Sequence, residues 1–248
     1  TKEMARLNLQ AKILEKKEIE YLKNSGLKDN MKVLDLGCGL GETILLLNKY
    51  FKNLSVTGID ASKEYLLKCQ EKLNGSANLI FSDVYDLSLI TEKFDFVYSR
   101  FLFQHLSKPE QVLKEVYKVL KTNGIYVILD VDDNFYRLNL PSNNASLFLE
   151  LAEKSQVKNG GDRRVGHKLC SYFTNTNFKN IEVTEHKISS KNIGLKNFLD
   201  ITTGLKLEHI NEEQRDVAED LLKAIYAEAF DIEAQGELTL FAVKGQKI

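Results

Sequence analysis

Three glycines at alternate positions, Gly37, Gly39 and Gly41, stand directly after the apolar run Val33-Leu34-Asp35-Leu36. Glycine allows a sharp backbone turn and a close approach to a ligand, and a helix opening behind such a turn offers unpaired N–H groups. Asp60 follows about 20 residues later, where a carboxylate can accept hydrogen bonds from both ribose hydroxyls of a nucleoside or a dinucleotide. In Phe81-Ser82-Asp83-Val84 a second acid reaches the same kind of position one strand further on. His105 is the histidine closest in sequence to this group, and a positioned imidazole can take a proton from an acceptor. A histidine at a helix start more commonly has a structural hydrogen-bonding role. Asp130, Asp132 and Asp133 read as a solvated acidic loop, and no metal is expected.

These residues need elements that bring them to one edge. Lys32–Leu36 predicts a short buried strand, with a helix over about 41–51. Leu54–Ile59 predicts a second strand ending at Asp60, and Ser62 is placed to cap a helix carrying Tyr65, Leu66, Cys69 and Leu73 on one face. Asn78–Phe81, Phe94–Ser99 and Gly124–Leu129 predict three more strands, and Pro109–Leu120 a helix with proline in its first turn. Strands alternating with helices imply a parallel, doubly wound sheet.

After Asp130 the rhythm changes. Residues 131–160 show no strong strand, Arg163–Thr176 reads as helix, Ile181–Ile188 alternates like a strand, residues 191–234 are largely helical and Glu237–Val243 forms a last strand. At the other end, Leu7, Ala11, Leu14 and Tyr21 recur at helical spacing, an amphipathic helix whose apolar stripe must rest on something. One domain over 1–248 is expected: a helical cap at 1–25, a core at 26–130, and lid insertions at 131–160 and 191–235.

With 43% apolar residues and 28% charged ones, 248 residues can bury a sizeable core. Lys and Arg number 34 against 35 Asp and Glu, which favours neither nucleic acid nor an anionic membrane as partner. No signal-peptide order or membrane-length apolar run occurs, so a cytoplasmic location is expected. Cys38, Cys69 and Cys170 form no Cys-x-x-Cys pair and read as reduced thiols.

Taken in order, Asp35-Leu36-Gly37-Cys38-Gly39-Leu40-Gly41, Asp60, Asp83-Val84 and Phe94-Asp95-Phe96-Val97-Tyr98-Ser99-Arg100 resemble the motifs of the class I S-adenosylmethionine-dependent methyltransferases, small-molecule branch. The resemblance implies a Rossmann-like, seven-stranded, mostly parallel sheet with an antiparallel last strand and helical lid insertions. It implies that Asp35, Gly37, Gly39 and Gly41 lie along the methionine part of S-adenosylmethionine. Asp60, with Ala61 beside it, would hold the ribose. Asp83 and Val84 would hold the adenine, and Ser99 and Arg100 would lie beside the methyl group. S-adenosylhomocysteine would be the co-product. His105 is the candidate base, and Arg163, Arg164 and His167 could meet an acidic acceptor. Arg6 and Gln10, on one helical face, could roof the cofactor. The acceptor and the oligomeric state are not encoded in any motif.

Two other readings compete. A catalytically silent cofactor-binding partner subunit would keep the same motifs. A nicotinamide-dependent oxidoreductase would want a third glycine or alanine where Glu42 stands, and would leave Asp83 without a task. Base-flipping chemistry lacks its sequence after the fourth strand, where Ser99-Arg100-Phe101-Leu102 stands.

Overall fold

A computed structural model describes residues 2–248. Seven strands form one sheet: β1 (Lys32–Leu36), β2 (Ser55–Asp60), β3 (Asn78–Phe81), β4 (Phe94–Arg100), β5 (Leu120–Leu138), β6 (Lys179–Ser189) and β7 (Gly236–Gln246). Their spatial order is β3-β2-β1-β4-β5-β7-β6, with β7 antiparallel to both its neighbours and β1 to β5 mutually parallel. The chain winds outward from β1 in both directions, so the β1/β4 junction is the switch point, where open α/β sheets form a crevice beyond their carboxyl ends.

Local chemistry explains the elements. In β1 every residue after Lys32 is buried, as expected of a central parallel strand covered on both faces. Helix α2 (Glu42–Tyr50) follows the glycines, and α3 (Lys63–Leu73) starts where Ser62 Oγ accepts from Tyr65 N at 3.2 Å. Helix α4 (Pro109–Val119) begins with its proline and buries Val112, Leu113, Val116 and Val119 against the sheet. The core lies in two layers. Helix α1 (Lys2–Asn24), α2 and α3 cover one face, where Leu22, Ile44 and Cys69 meet Val33 and Phe96. On the opposite face, α4 and α6 (Leu169–Thr174) pack Leu113 and Phe173 against Leu34 and Tyr126.

Two expectations need correction. Residues 131–160 hold well-formed structure: β5 continues through Leu138, pairing Tyr136 with Leu238 across a bulge, and α5 (Asn144–Lys158) follows. The polar Asp132-Asp133-Asn134 sequence hides the strand, because the bulge breaks the two-residue alternation that would betray it. Helix at Arg163–Thr176 is confined to a 3-10 turn at Gly166–Lys168 and to α6. The expected helical cover over 191–234 is present as α7 (Ser190–Ile193), α8 (Leu195–Thr202), a 3-10 segment at Gly204–His209 and α9 (Glu212–Asp231). Among the described residues, no helix is long and apolar enough to cross a membrane.

Candidate active site

The glycine loop is built by backbone demands that only glycine meets cheaply. Gly37, Gly39 and Gly41 all have positive φ, at 75°, 50° and 80°. A Cβ on Gly41 would lie 2.6 Å from Cys69 Sγ, so this glycine lets α2 seat against α3. A Cβ on Gly39 would meet nothing within 4 Å, so here the backbone borders open space. Asp60 ties the loop to β2: Oδ2 accepts from Gly39 N at 2.8 Å and Oδ1 from Ser62 N at 2.9 Å. Each oxygen keeps a further lone pair for a ligand hydroxyl.

These residues border a cavity of about 300 Å³ at the switch point, whose wall includes Gly37, Gly39, Asp60, Arg100, Gln104 and His105. From above it is closed by Leu7, Gln10 and Leu14 of α1 and by Ile201, Thr202 and Lys206 of the α8 region. Gln10 Nε2 donates to Ile201 O at 3.4 Å and Arg6 Nη1 to Gly204 O at 2.8 Å, joining the two covers. Of the expected roof pair, Gln10 borders the cavity and Arg6 clamps behind it.

Other expected site residues stand apart. Asp35 is buried among Arg100, Glu18 and Asp60, and burial raises its carboxyl to about 7 against the opposing pull of Arg100. Its Oδ2 has no partner. Ser99 turns its side chain to the opposite sheet face, where Oγ lies 3.1 Å from Tyr126 Oη, so only its backbone faces the β4 edge beside the cavity. Asp83 is exposed and its Oδ1 accepts from Tyr85 N at 3.0 Å; Val84 is buried and Ala61 exposed. None of these three lines the cavity, although Ser82 N bonds Asp60 O at 3.2 Å and so keeps the β3 end beside Asp60.

His105 opens onto the cavity. Gln156 Nε2 lies 2.9 Å from its Nδ1 and 2.7 Å from Gln104 O. With the amide donating to both, Nδ1 accepts and the ring proton sits on Nε2. Although His105 is exposed, desolvation by the surrounding protein, then the neighbouring His209 and Arg163, lowers the imidazole below its usual range. It is a neutral hydrogen-bond donor.

The acidic stretch is the larger surprise. Asp130 and Asp132 are fully buried and belong to β5; the solvated loop expected there does not form. Asp130 accepts from Val131 N at 2.8 Å and Gln104 N at 3.2 Å, and Asp132 from His167 N at 2.8 Å. Burial pushes Asp133 up, but Arg163 and Lys206 overcome this and hold it at about 2. Arg163 is likewise buried, while Arg164 and His167 lie exposed. No group of three or more metal-ligating side chains occurs among the described residues.

Three site residues escaped sequence reasoning: Glu18, Lys206 and His209. Glu18 accepts from Tyr98 Oη at 2.9 Å and from Arg100 Nη1 at 3.1 Å, linking α1 to the end of β4. Its signal was available, because Glu18 falls on the stripe running from Leu14 to Tyr21, where a carboxylate is out of place unless paired. Lys206 sits between Leu205 and Leu207 and is likewise buried.

The glycine loop, the acid at the end of β2 and the covered cavity at the switch point sit on a Rossmann-like methyltransferase fold, and residues 34–128 match the methyltransferase domain family. Over this stretch the chain resembles a class I S-adenosylmethionine-dependent methyltransferase domain. A demethylmenaquinone methyltransferase of Thermotoga maritima is 35% identical over 100 residues, 40% of this chain and 43% of that enzyme. The match therefore spans less than half of that relative's length. In three dimensions, a phosphoethanolamine N-methyltransferase 2 of Haemonchus contortus, solved with phosphomonomethylethanolamine and S-adenosylhomocysteine, superposes with a TM-score of 0.62 at 19% identity, covering 94% of this chain and 52% of that one. The cyclase SpnF superposes with a TM-score of 0.63 at 16% identity, over 94% and 81% of the two chains. At such identities these likenesses concern the fold.

Proposed function

We propose that this protein transfers a methyl group from S-adenosylmethionine to a small-molecule acceptor, releasing S-adenosylhomocysteine. The observation that carries the reading is a covered cavity whose wall joins Gly39 and Asp60 with the polar side chains of Gln104, His105 and Lys206. The residues fit the cofactor on three counts: open space over Gly39, a fixed carboxylate at Asp60, and the orphaned Asp35 Oδ2 beneath the loop. When bound, the sulfonium supplies an already activated methyl group, so the protein's task is chiefly to place the acceptor in line with it.

In this reading Asp60 accepts from the ribose, the Gly37–Gly41 backbone follows the methionine portion, and Asp83 with Val84 N receives the adenine at the β3 end. Arg100, fixed by Glu18, marks the border between cofactor and acceptor. His105 orients the acceptor by donating from Nε2; a proton leaving a hydroxyl or ammonium acceptor would then pass to solvent rather than to this imidazole. Residues 1–248 act as one domain with α1 and the 191–235 helices as its covers. A near-zero net charge supports a small acceptor over nucleic acid.

Titration calorimetry tests this reading. The chain should bind S-adenosylhomocysteine, and Asp60→Ala should weaken binding by about 1–3 kcal/mol, the cost of losing charge-assisted hydrogen bonds. Equal affinity of the variant would discredit the ribose assignment, and no binding by the wild type would discredit the function.

A further inference from the structure

The polar end of the cavity holds more positive charge than the protein around it neutralises. Arg163 and Lys206 both line it, although only 6% and 2% of their surfaces are exposed. They share one carboxylate. Asp133 Oδ2 accepts from Arg163 Nε at 2.6 Å, and Oδ1 from Lys206 Nζ at 2.9 Å. Arg163 Nη1 spends its bond on the neutral Gln104 Oε1 at 2.8 Å. Nη2 reaches Asp133 only at 3.4 Å, and no second acceptor bonds Lys206 Nζ among the described residues.

Among the described residues no second carboxylate pairs with either cation, and Lys206 Nζ otherwise lies over the Tyr136 ring, 5.1 Å from its centroid. His209 and His105 are held neutral, and both feel Arg163 as a repelling neighbour. Burial raises Asp130 to about 7, and backbone N–H groups already bond its carboxylate. Asp132 is engaged by His167, with Nδ1 at 2.5 Å from Oδ2. An excess buried cation is costly unless it is paired. The same cavity is also lined by apolar side chains, Leu7, Leu14, Ile201 and Leu240 among them.

Resting on the methyltransferase reading above, we infer that the acceptor is amphipathic, with an anionic group, carboxylate or phosphate, that docks on Arg163 and Lys206. Its apolar body lies along the leucine and isoleucine walls. Asp133 positions the two cations from behind, and the ligand supplies the second counter-ion. Guanidinium and ammonium together present several donors to one oxyanion, which neither a neutral nor a cationic head group can exploit.

The test uses the full chain saturated with S-adenosylhomocysteine, titrated calorimetrically with octanoate, octyl phosphate, 1-octanol and octylamine. At least one anionic probe should bind about tenfold or more tightly than octanol, and octylamine should bind worst. Comparison of octanoate with octyl phosphate separates the two anions. Lys206→Met keeps the Arg163–Asp133 pair and should abolish the preference for anions. Should that variant misfold, the wild-type series decides alone. Octanol or octylamine binding as tightly as both anions, or a Lys206→Met protein with the preference intact, overturns the inference and leaves the methyltransferase reading standing. A chain that does not bind S-adenosylhomocysteine removes both.

Discussion

Burying a charge is tolerable only with a partner, and at the residue scale this rule identifies the groups that hold the site together. Glu18 is 1% exposed in its side chain and Arg100 10%, and they meet at 3.1 Å. Removing one member of such a pair strands the other in a poorly solvated place. Glu18→Ala should therefore lower stability by about 3–5 kcal/mol in a urea titration, far beyond an ordinary surface substitution. A loss below about 1 kcal/mol would mean that Arg100 finds water or another acceptor easily. The histidines give a pH signature. Burial, then Arg163, lowers His209 to about 4 from 6.5, with Glu208 opposing. Between these values the unfolded chain binds a proton that the native state refuses, so this contribution is full above pH 6.5 and disappears as pH falls toward 4. His209→Gln should flatten the decline of Tm over that window. Parallel curves for variant and wild type would show that His209 is ordinary.

Elements decide which residues can act together, and here the N-terminal helix matters most. Helix α1 joins the sheet through Glu18 and joins the α8 region through Arg6 and Gln10. Substituting Arg6 and Gln10 together with alanine should speed amide exchange in α1 before Leu14 and in α8, while β1 and β4 keep their protection. Unchanged exchange in α1 would mean that the roof is held by packing alone. The same elements mark where the sequence is readable. Strands β1 to β4 and helices α2 to α4 follow from apolar periodicity, a serine cap, an N-terminal proline and three glycines, all local signals. The continuation of β5 past Asp130 is not local: it forms because β7 pairs with it, and its polar residues are matched from elsewhere, Asp133 by Arg163 and Lys206. Buried ion partners far apart in sequence leave no periodic trace, which is why the glycine loop and Asp60 are legible in the sequence while the Asp133–Lys206 pairing is not.

At the scale of the whole molecule, one sheet edge and two helical covers make a cavity with two chemically distinct ends. The glycine loop and Asp60 offer backbone and a carboxylate to the cavity, whereas Arg163 and Lys206 offer buried cations. The methyltransferase reading requires the cofactor at the first end and the acceptor at the second, with Arg100 between them. A crystal structure of the chain with S-adenosylhomocysteine measures this most directly. The account predicts the ribose hydroxyls on the Asp60 carboxylate, the adenine beside Asp83 and Val84, and the sulfur turned toward Arg100 and His105. Density for the ligand at the Arg163–Lys206 end, or outside this cavity, would contradict it.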